Sequence, residues 1–181
     1  MRTIIFSLVL AFGCSAQILQ PIISGKSNPD LTLTATTTEA SQTVTIKRLT
    51  LTTATTIYWG DTQTTALASG STGQITHVYA DAGTYSIRVP GSANVTAIDL
   101  EDAQLSNFNT LQLRSAAITY FYVTAIKTST IRSADMVAWR PTTWYLYSMP
   151  AGTYNISSAD MVAWRPTTWY LGGIPAGTYS I

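Results

Sequence analysis

Residues 131–156 read IRSADMVAWRPTTWYLYSMPAGTYNI, and residues 156–181 repeat them almost word for word as ISSADMVAWRPTTWYLGGIPAGTYSI. Asp135 and Asp160 stand 25 residues apart. From Asp135 to Ile156 the copies differ at only four positions: Tyr147/Gly172, Ser148/Gly173, Met149/Ile174 and Asn155/Ser180. A fainter copy precedes them, with 124–136 lining up on 149–161. A fixed period of this size marks a stacked array, because a unit this short cannot bury its own apolar face and needs a neighbour to cover it. Near-identical copies also carry no residues tuned to separate chemical roles. An enzyme needs different groups converging on one place; an array multiplies one surface.

The physics of one unit follows from its residues. Ser133 or Asp135 is expected to cap a short helix, and Ser158 or Asp160 the next. Met136 and Trp139, three apart, share a helical face. Pro141 donates no N–H and restricts Arg140, so the helix ends there. The stretch TTWYLY then alternates as a strand, with Trp144 and Leu146 on one side and Thr143, Tyr145 and Tyr147 on the other. The PAG run turns the chain into a second extended piece, TYNI.

The apolar spacing has a frame: Pro141-x-x-Trp144-x-Leu146-x-x-Met149 and Pro166-x-x-Trp169-x-Leu171-x-x-Ile174. The same frame is placed upstream at Val95-x-x-Ile98-x-Leu100-x-x-Ala103 and at Phe108-x-x-Leu111-x-Leu113-x-x-Ala116. Over residues 93 to 181 this resembles the L-x-x-L-x-L-x-x-N of leucine-rich repeats, in a divergent bacterial or phage-type form. The ladder Asn is missing, Trp replaces a Leu and the early units are unevenly spaced; a parallel β-solenoid of another type is the competing reading. In that frame the outward strand positions Thr143, Tyr145, Tyr147, Thr168, Tyr170 and Gly172 form a display face, and tyrosine combines a large apolar body with a hydroxyl handle. The array stops at Ile181 with no polar capping unit, so a longer array, or capping by a partner, is expected.

Upstream the period changes to two. LTLTAT, TVTIKRLTLTT and TIYWGD place apolar residues at alternate positions, pairing Leu31 with Leu33 and Val44 with Ile46 on one face. Turn clusters at 68–74 and 80–83 separate the runs, which points to a small antiparallel sandwich. Two stretches, Ile57–Thr65 and Thr76–Val89, together resemble the PKD family, an immunoglobulin-like β-sandwich module. Trp59-Gly60-Asp61 matches its first motif, with Thr62 where the family carries Gly. His77, Tyr79, Gly83 and Tyr85 match its second, with Ile87 in place of Val. The resemblance covers residues 29 to 90 and implies a surface spacer or a protein- and sugar-contacting module without catalysis. From the residues alone, Trp59 is a core plug, Asp61 accepts backbone N–H bonds in a turn, Gly83 supplies a positive φ, and the solitary His77 is structural.

The amino terminus, MRTIIFSLVLAFGCSAQ, has a basic start, a short apolar run and small residues, the layout of a secretory signal peptide cleaved after Ala16. The run is too short to span a membrane. Cys14, the only cysteine, also sits as in a lipobox, so lipidation at Cys14 is the alternative, and the membrane is then reached only through that lipid. Either way no disulfide framework or cysteine metal site is available. The Gly25-Lys26-Ser27 run lacks the earlier Gly of a phosphate loop, where Gln20 stands.

The expected organisation is mainly β: signal peptide 1–16, linker 17–28, PKD-like sandwich 29–91, and a leucine-rich-repeat-like solenoid 92–181 with short strands and short helices. A net charge of +1 gives no basic stripe for nucleic acid. With one His there is little room for nucleophilic triads. Asp99, Glu101 and Asp102 cluster, with Asp81 elsewhere, and Glu101-Asp102 is expected in a solvated turn between repeat strands rather than in catalysis. No cofactor, metal or catalytic residue is expected. The function expected is adhesion or binding, to a protein or glycan at a cell surface, by a secreted or envelope-anchored bacterial protein. A structural or receptor-binding part of a phage particle, located in the virion, is one alternative. The amino-terminal accessory part of a larger carbohydrate-active enzyme is another.

Overall fold

A computed structural model of the chain describes residues 29–71, 73–102, 104–113, 116–137, 139–149, 152–173 and 178–180. The expected signal peptide, Cys14 and the 17–28 linker lie outside the described residues. The chain is mainly β. Its first half contains β1 (Leu31–Thr37), β2 (Gln42–Ile46), β3 (Arg48–Leu51), β4 (Thr55–Tyr58), β5 (Thr64–Leu67), β6 (Gly70–Ser71), β7 (Ile75–Tyr79) and β8 (Gly83–Val89), all paired antiparallel among themselves, consistent with a β-sandwich. The alternation works as expected: Leu31, Leu33 and Ala35 of β1 are buried while the threonines between them are half-exposed.

The stretch 43–53 does not form one strand. Ile46 and Leu49 both point inward but lie three residues apart, so the alternation misses a beat at Lys47. The chain breaks there, sending β2 to pair with β7 and β3 into a different sheet.

The residues that carry the PKD resemblance form one knot. Trp59 is fully buried and its Nε1 donates to Thr65 Oγ1 at 2.8 Å. His77 stacks on Trp59 with ring centroids 4.7 Å apart, and its Nε2 lies 2.7 Å from Asp61 Oδ2. Tyr79 donates its hydroxyl to the Trp59 carbonyl at 2.8 Å. Asp61 also accepts the Gln63 N–H at 3.1 Å, as a turn aspartate should. Gly60 has φ +88°, and a Cβ there would come within 2.7 Å of the Ser86 carbonyl oxygen. Gly83 corrects its expectation: its φ is ordinary, and what excludes a side chain is the Tyr85 ring, 3.1 Å from where a Cβ would sit.

The second half adds β9 (Val95–Glu101), β10 (Leu105–Ser106), β11 (Phe108–Asn109), β12 (Tyr120–Thr124), β13 (Ser129–Arg132), β14 (Thr143–Tyr147), β15 (Gly152–Ser157), β16 (Thr168–Gly172) and β17 (Thr178–Ser180). Two short helices interrupt it, α1 (Ser133–Met136) and α2 (Ser158–Trp164). These strands form two parallel ladders, β9-β12-β14-β16 and β11-β13-β15-β17. The halves share sheets: β9 continues antiparallel onto β3, and β10 pairs with β1. One hydrophobic core runs across residues 91 and 92, from Leu31 to Ile156.

The first ladder is regular. Ile98, Phe121, Trp144 and Trp169 pair across it, at offsets of 23, 23 and 25 residues. The upstream frame at Val95-Ile98-Leu100 lies on β9, all three residues fully buried. The frame at Phe108-Leu111-Leu113-Ala116 is corrected: residues 110–113 form a 3-10 turn and Leu111 is exposed. The true second rung is Ile118-x-x-Phe121-x-Val123-x-x-Ile126, four fully buried residues that remove the uneven spacing. The second residue of each of the first three rungs is a threonine whose hydroxyl donates to a backbone carbonyl of the neighbouring segment: Thr96 to Thr50, Thr119 to Thr96, and Thr142 to Thr119, at 3.3, 3.2 and 3.0 Å.

The helix caps are also corrected. Neither helix start has a side-chain cap bond, and the flanking positions are Arg132 and Ser157. The hydroxyls turn sideways instead. Thr110 donates to Asp135 of the next rung at 2.7 Å and accepts the Arg132 N–H at 3.1 Å. Ser133 donates to Asp160 at 2.6 Å and accepts the Ser157 N–H at 2.9 Å. This hydroxyl–carboxylate ladder supplies part-buried hydrogen bonds between rungs where no ladder asparagine stands. Only α2 ends at its Arg-Pro pair; α1 stops earlier, at Met136, with Val137 and Trp139 in turn before Arg140. Arg140 and Arg165 both lie in the left-handed region, at φ 51° and 50°. Each arginine N–H closes on the carbonyl four residues back.

Candidate functional site

Parallel pairing with a period-two strand fixes what the outer face of the first ladder presents. The register aligns Asp99, Tyr122, Tyr145 and Tyr170 in one row. The row beside it holds Ala97, Tyr120, Thr143 and Thr168; the row on the other side holds Glu101, Thr124, Tyr147 and Gly172. Every expected face residue, Thr143, Tyr145, Tyr147, Thr168 and Tyr170, falls on this one surface. Tyr147 and Tyr170 are nearly half exposed, at 46% and 47%. Tyr145 and Thr143 are half-buried, and Thr168 is exposed.

The rings stack along the ladder. Tyr122 and Tyr145 have centroids 5.3 Å apart, Tyr145 and Tyr170 5.9 Å, and Tyr147 and Tyr170 5.7 Å. Tyr145 and Tyr170 are stacked, with 29° between their planes, while the Tyr122–Tyr145 and Tyr147–Tyr170 pairs are tilted by 31° and 50°. Gly172 stands where the preceding copy has Tyr147, and the Tyr170 ring leans into the space: a Cβ at 172 would be 2.7 Å from it. Tyr122, Tyr145, Tyr147 and Tyr170 line a shallow depression of about 390 Å³.

Charge gathers at the end of the face next to the sandwich. Arg48 lies over the Tyr120 ring, 4.8 Å from its centroid, and Lys47 pairs with Glu101 at 3.3 Å. Asp99 pairs across the strands with Arg48. Burial and the neighbouring Glu101 push the Asp99 carboxyl above the ordinary carboxylate value, against the pull of Arg48 and Lys47. Burial and nearby carboxylates likewise raise the Tyr120 and Tyr122 hydroxyls, which stay neutral donors.

The carboxylate cluster is split by the fold. Asp99 and Glu101 belong to β9 and the tyrosine face. Asp102 alone lies in the following turn, accepting N–H bonds from Thr45 at 2.7 Å and Gln104 at 2.8 Å. His77 belongs to the sandwich knot, away from this face.

Tyr120 and Tyr122 are face residues that sequence reasoning missed. Their signal was the alternation T-Y-F-Y-V at 119–123, hidden when the second frame was placed at Phe108. Compared with protein-family models, with curated proteins and with solved structures, the chain has no match in any of the three.

Proposed function

We propose that the chain is a non-catalytic binding protein that docks a protein partner on the tyrosine face, displayed from a cell envelope on an immunoglobulin-like spacer. The observation that carries the reading is the aligned row Tyr122, Tyr145 and Tyr170 with Tyr120 and Tyr147 beside it. An uncharged aromatic centre bordered by Arg48, Lys47 and Glu101 has the anatomy of a protein interface. Tyrosine gives large contact area at low conformational cost.

The parallel ladders, with their threonine and hydroxyl–carboxylate bonds between rungs, support a solenoid of the leucine-rich-repeat-like kind. Its consequence is a surface that repeats with each rung. The placement at an envelope rests on the amino-terminal export signal. The test is binding of fluorescently labelled protein to bacterial and epithelial cell surfaces, before and after trypsin treatment of the cells. Wild type binds a trypsin-sensitive component and Tyr145→Ala/Tyr170→Ala loses the binding while remaining folded. Equal binding by the variant would sink the face assignment, and trypsin-resistant, glycosidase-sensitive binding would move the partner to glycan.

A further inference from the structure

Asn107 sits between β10 and β11 with φ 61°, a left-handed position that asparagine tolerates better than most residues. The kink there ends pairing with β1 and begins pairing with β13, so the sandwich sheet and the second ladder meet at an angle. Asn107 holds both walls: its Nδ2 donates to Thr34 Oγ1 at 2.9 Å, and its Oδ1 accepts from Thr128 Oγ1 at 3.3 Å. The corner encloses a cleft of about 560 Å³, within the range of small-ligand sites. Ser86 and Thr34 stand on one wall, and Asn109, Thr130 and Thr153 on the other.

We infer that this cleft is a second binding site, for a neutral saccharide, distinct from the tyrosine face. None of its lining residues is charged, so neither an anion nor a cation finds a counter-charge. The side chains are mainly hydroxyls and amides, each able to donate and accept, which matches the mixed donors and acceptors of a polyol. Much of that capacity is unspent. Among the described residues the hydroxyls of Ser86, Thr130 and Thr153 bond no protein group, and Asn109 uses only its Oδ1, for the Leu111 N–H at 2.9 Å. Among the described residues, a peptide adding as a strand finds only the two-residue edge of β11, because β1 and β13 offer none. β13 lies between β11 and β15, and on the outer edge of β1 the Thr32 N–H is taken by Gln112 Oε1 and the Thr36 N–H by the Gln104 carbonyl.

Saturation-transfer NMR on the full chain tests this with cellotetraose, maltotetraose, chitotetraose and mannotetraose as probes, and a heparin tetrasaccharide as the charged comparison. The expected result is transfer to at least one neutral probe. Its affinity should fall about tenfold or more in Thr130→Val/Thr153→Val, and measurably in Ser86→Ala on the opposite wall. Both changes keep strand geometry, and Tyr145→Ala/Tyr170→Ala should leave the binding unchanged. Absence of transfer to all four neutral probes overturns the inference. So does binding that survives the cleft variants, binding lost only in the tyrosine variant, or a preference for the heparin fragment.

Discussion

Ser133 and Ser158 occupy the same place in two nearly identical repeats, yet they should respond oppositely to alanine. Ser133 is 1% exposed and holds two bonds between rungs, one to the Asp160 carboxylate and one from the Ser157 N–H. Ser133→Ala removes a charge-assisted bond, worth about 1.5–3 kcal/mol, and orphans an N–H, at about 1–3 kcal/mol. Asp160 is half-buried and recovers part of its loss by turning to water. The net destabilisation is about 2–3 kcal/mol. Ser158 is exposed and makes no such bond among the described residues, so Ser158→Ala should stay within about 0.5 kcal/mol of wild type. Urea unfolding followed by tryptophan fluorescence measures both, with an unchanged slope confirming that only stability moved. If Ser133→Ala unfolds within about 0.5 kcal/mol of wild type, the hydroxyl–carboxylate ladder does not hold the rungs together and the reasoning fails.

Three further outcomes are expected. Thr62 is an exposed β-branched residue at φ 75°, where the left-handed region costs about 1–2 kcal/mol; after the entropy glycine loses on folding, Thr62→Gly should stabilise the chain by about 0.5–1 kcal/mol in urea titration. Trp144 is fully buried while its copy Trp169 is 53% exposed, so Trp144→Ala should cost about 3–5 kcal/mol and Trp169→Ala clearly less, read as the difference between their urea midpoints. Burial raises the Asp61 carboxyl, but the bonds from His77 and the Gln63 N–H outweigh it and hold the group below its ordinary 3.8. Its contribution is therefore present above that value and is lost as pH falls through the lowered one; unfolding midpoints of wild type and Asp61→Asn should differ at pH 7 and converge in strong acid.

Local periodicity was legible because it depends on neighbours in the chain. The buried faces of β1 and β14, the helix stop at Arg165, and the outward Tyr145 and Tyr170 follow from local sterics and side-chain direction alone. The break at Lys47 was equally present in the three-residue gap between Ile46 and Leu49, and was overlooked. The second rung was misplaced because Phe108-Leu111-Leu113 satisfies the spacing as well as Ile118-Phe121-Val123 does. Spacing cannot tell which run finds partners on both sides.

The amino-acid sequence by itself determined that a unit repeats and which side of β1 and β14 is apolar, since these are short-range consequences of backbone sterics and hydrophobic pattern. The tertiary structure alone decided what depends on register between distant segments. It decided that the repeat grows edge-on from β3, that Tyr120 and Tyr122 extend the aromatic row, and that Ser133 reaches the next rung instead of capping its helix. It also decided that Trp144 and Trp169, with the same neighbours in sequence, differ in burial. The reason is that burial and hydrogen-bond partnership are properties of what lies across a sheet, and the strand across is many residues away.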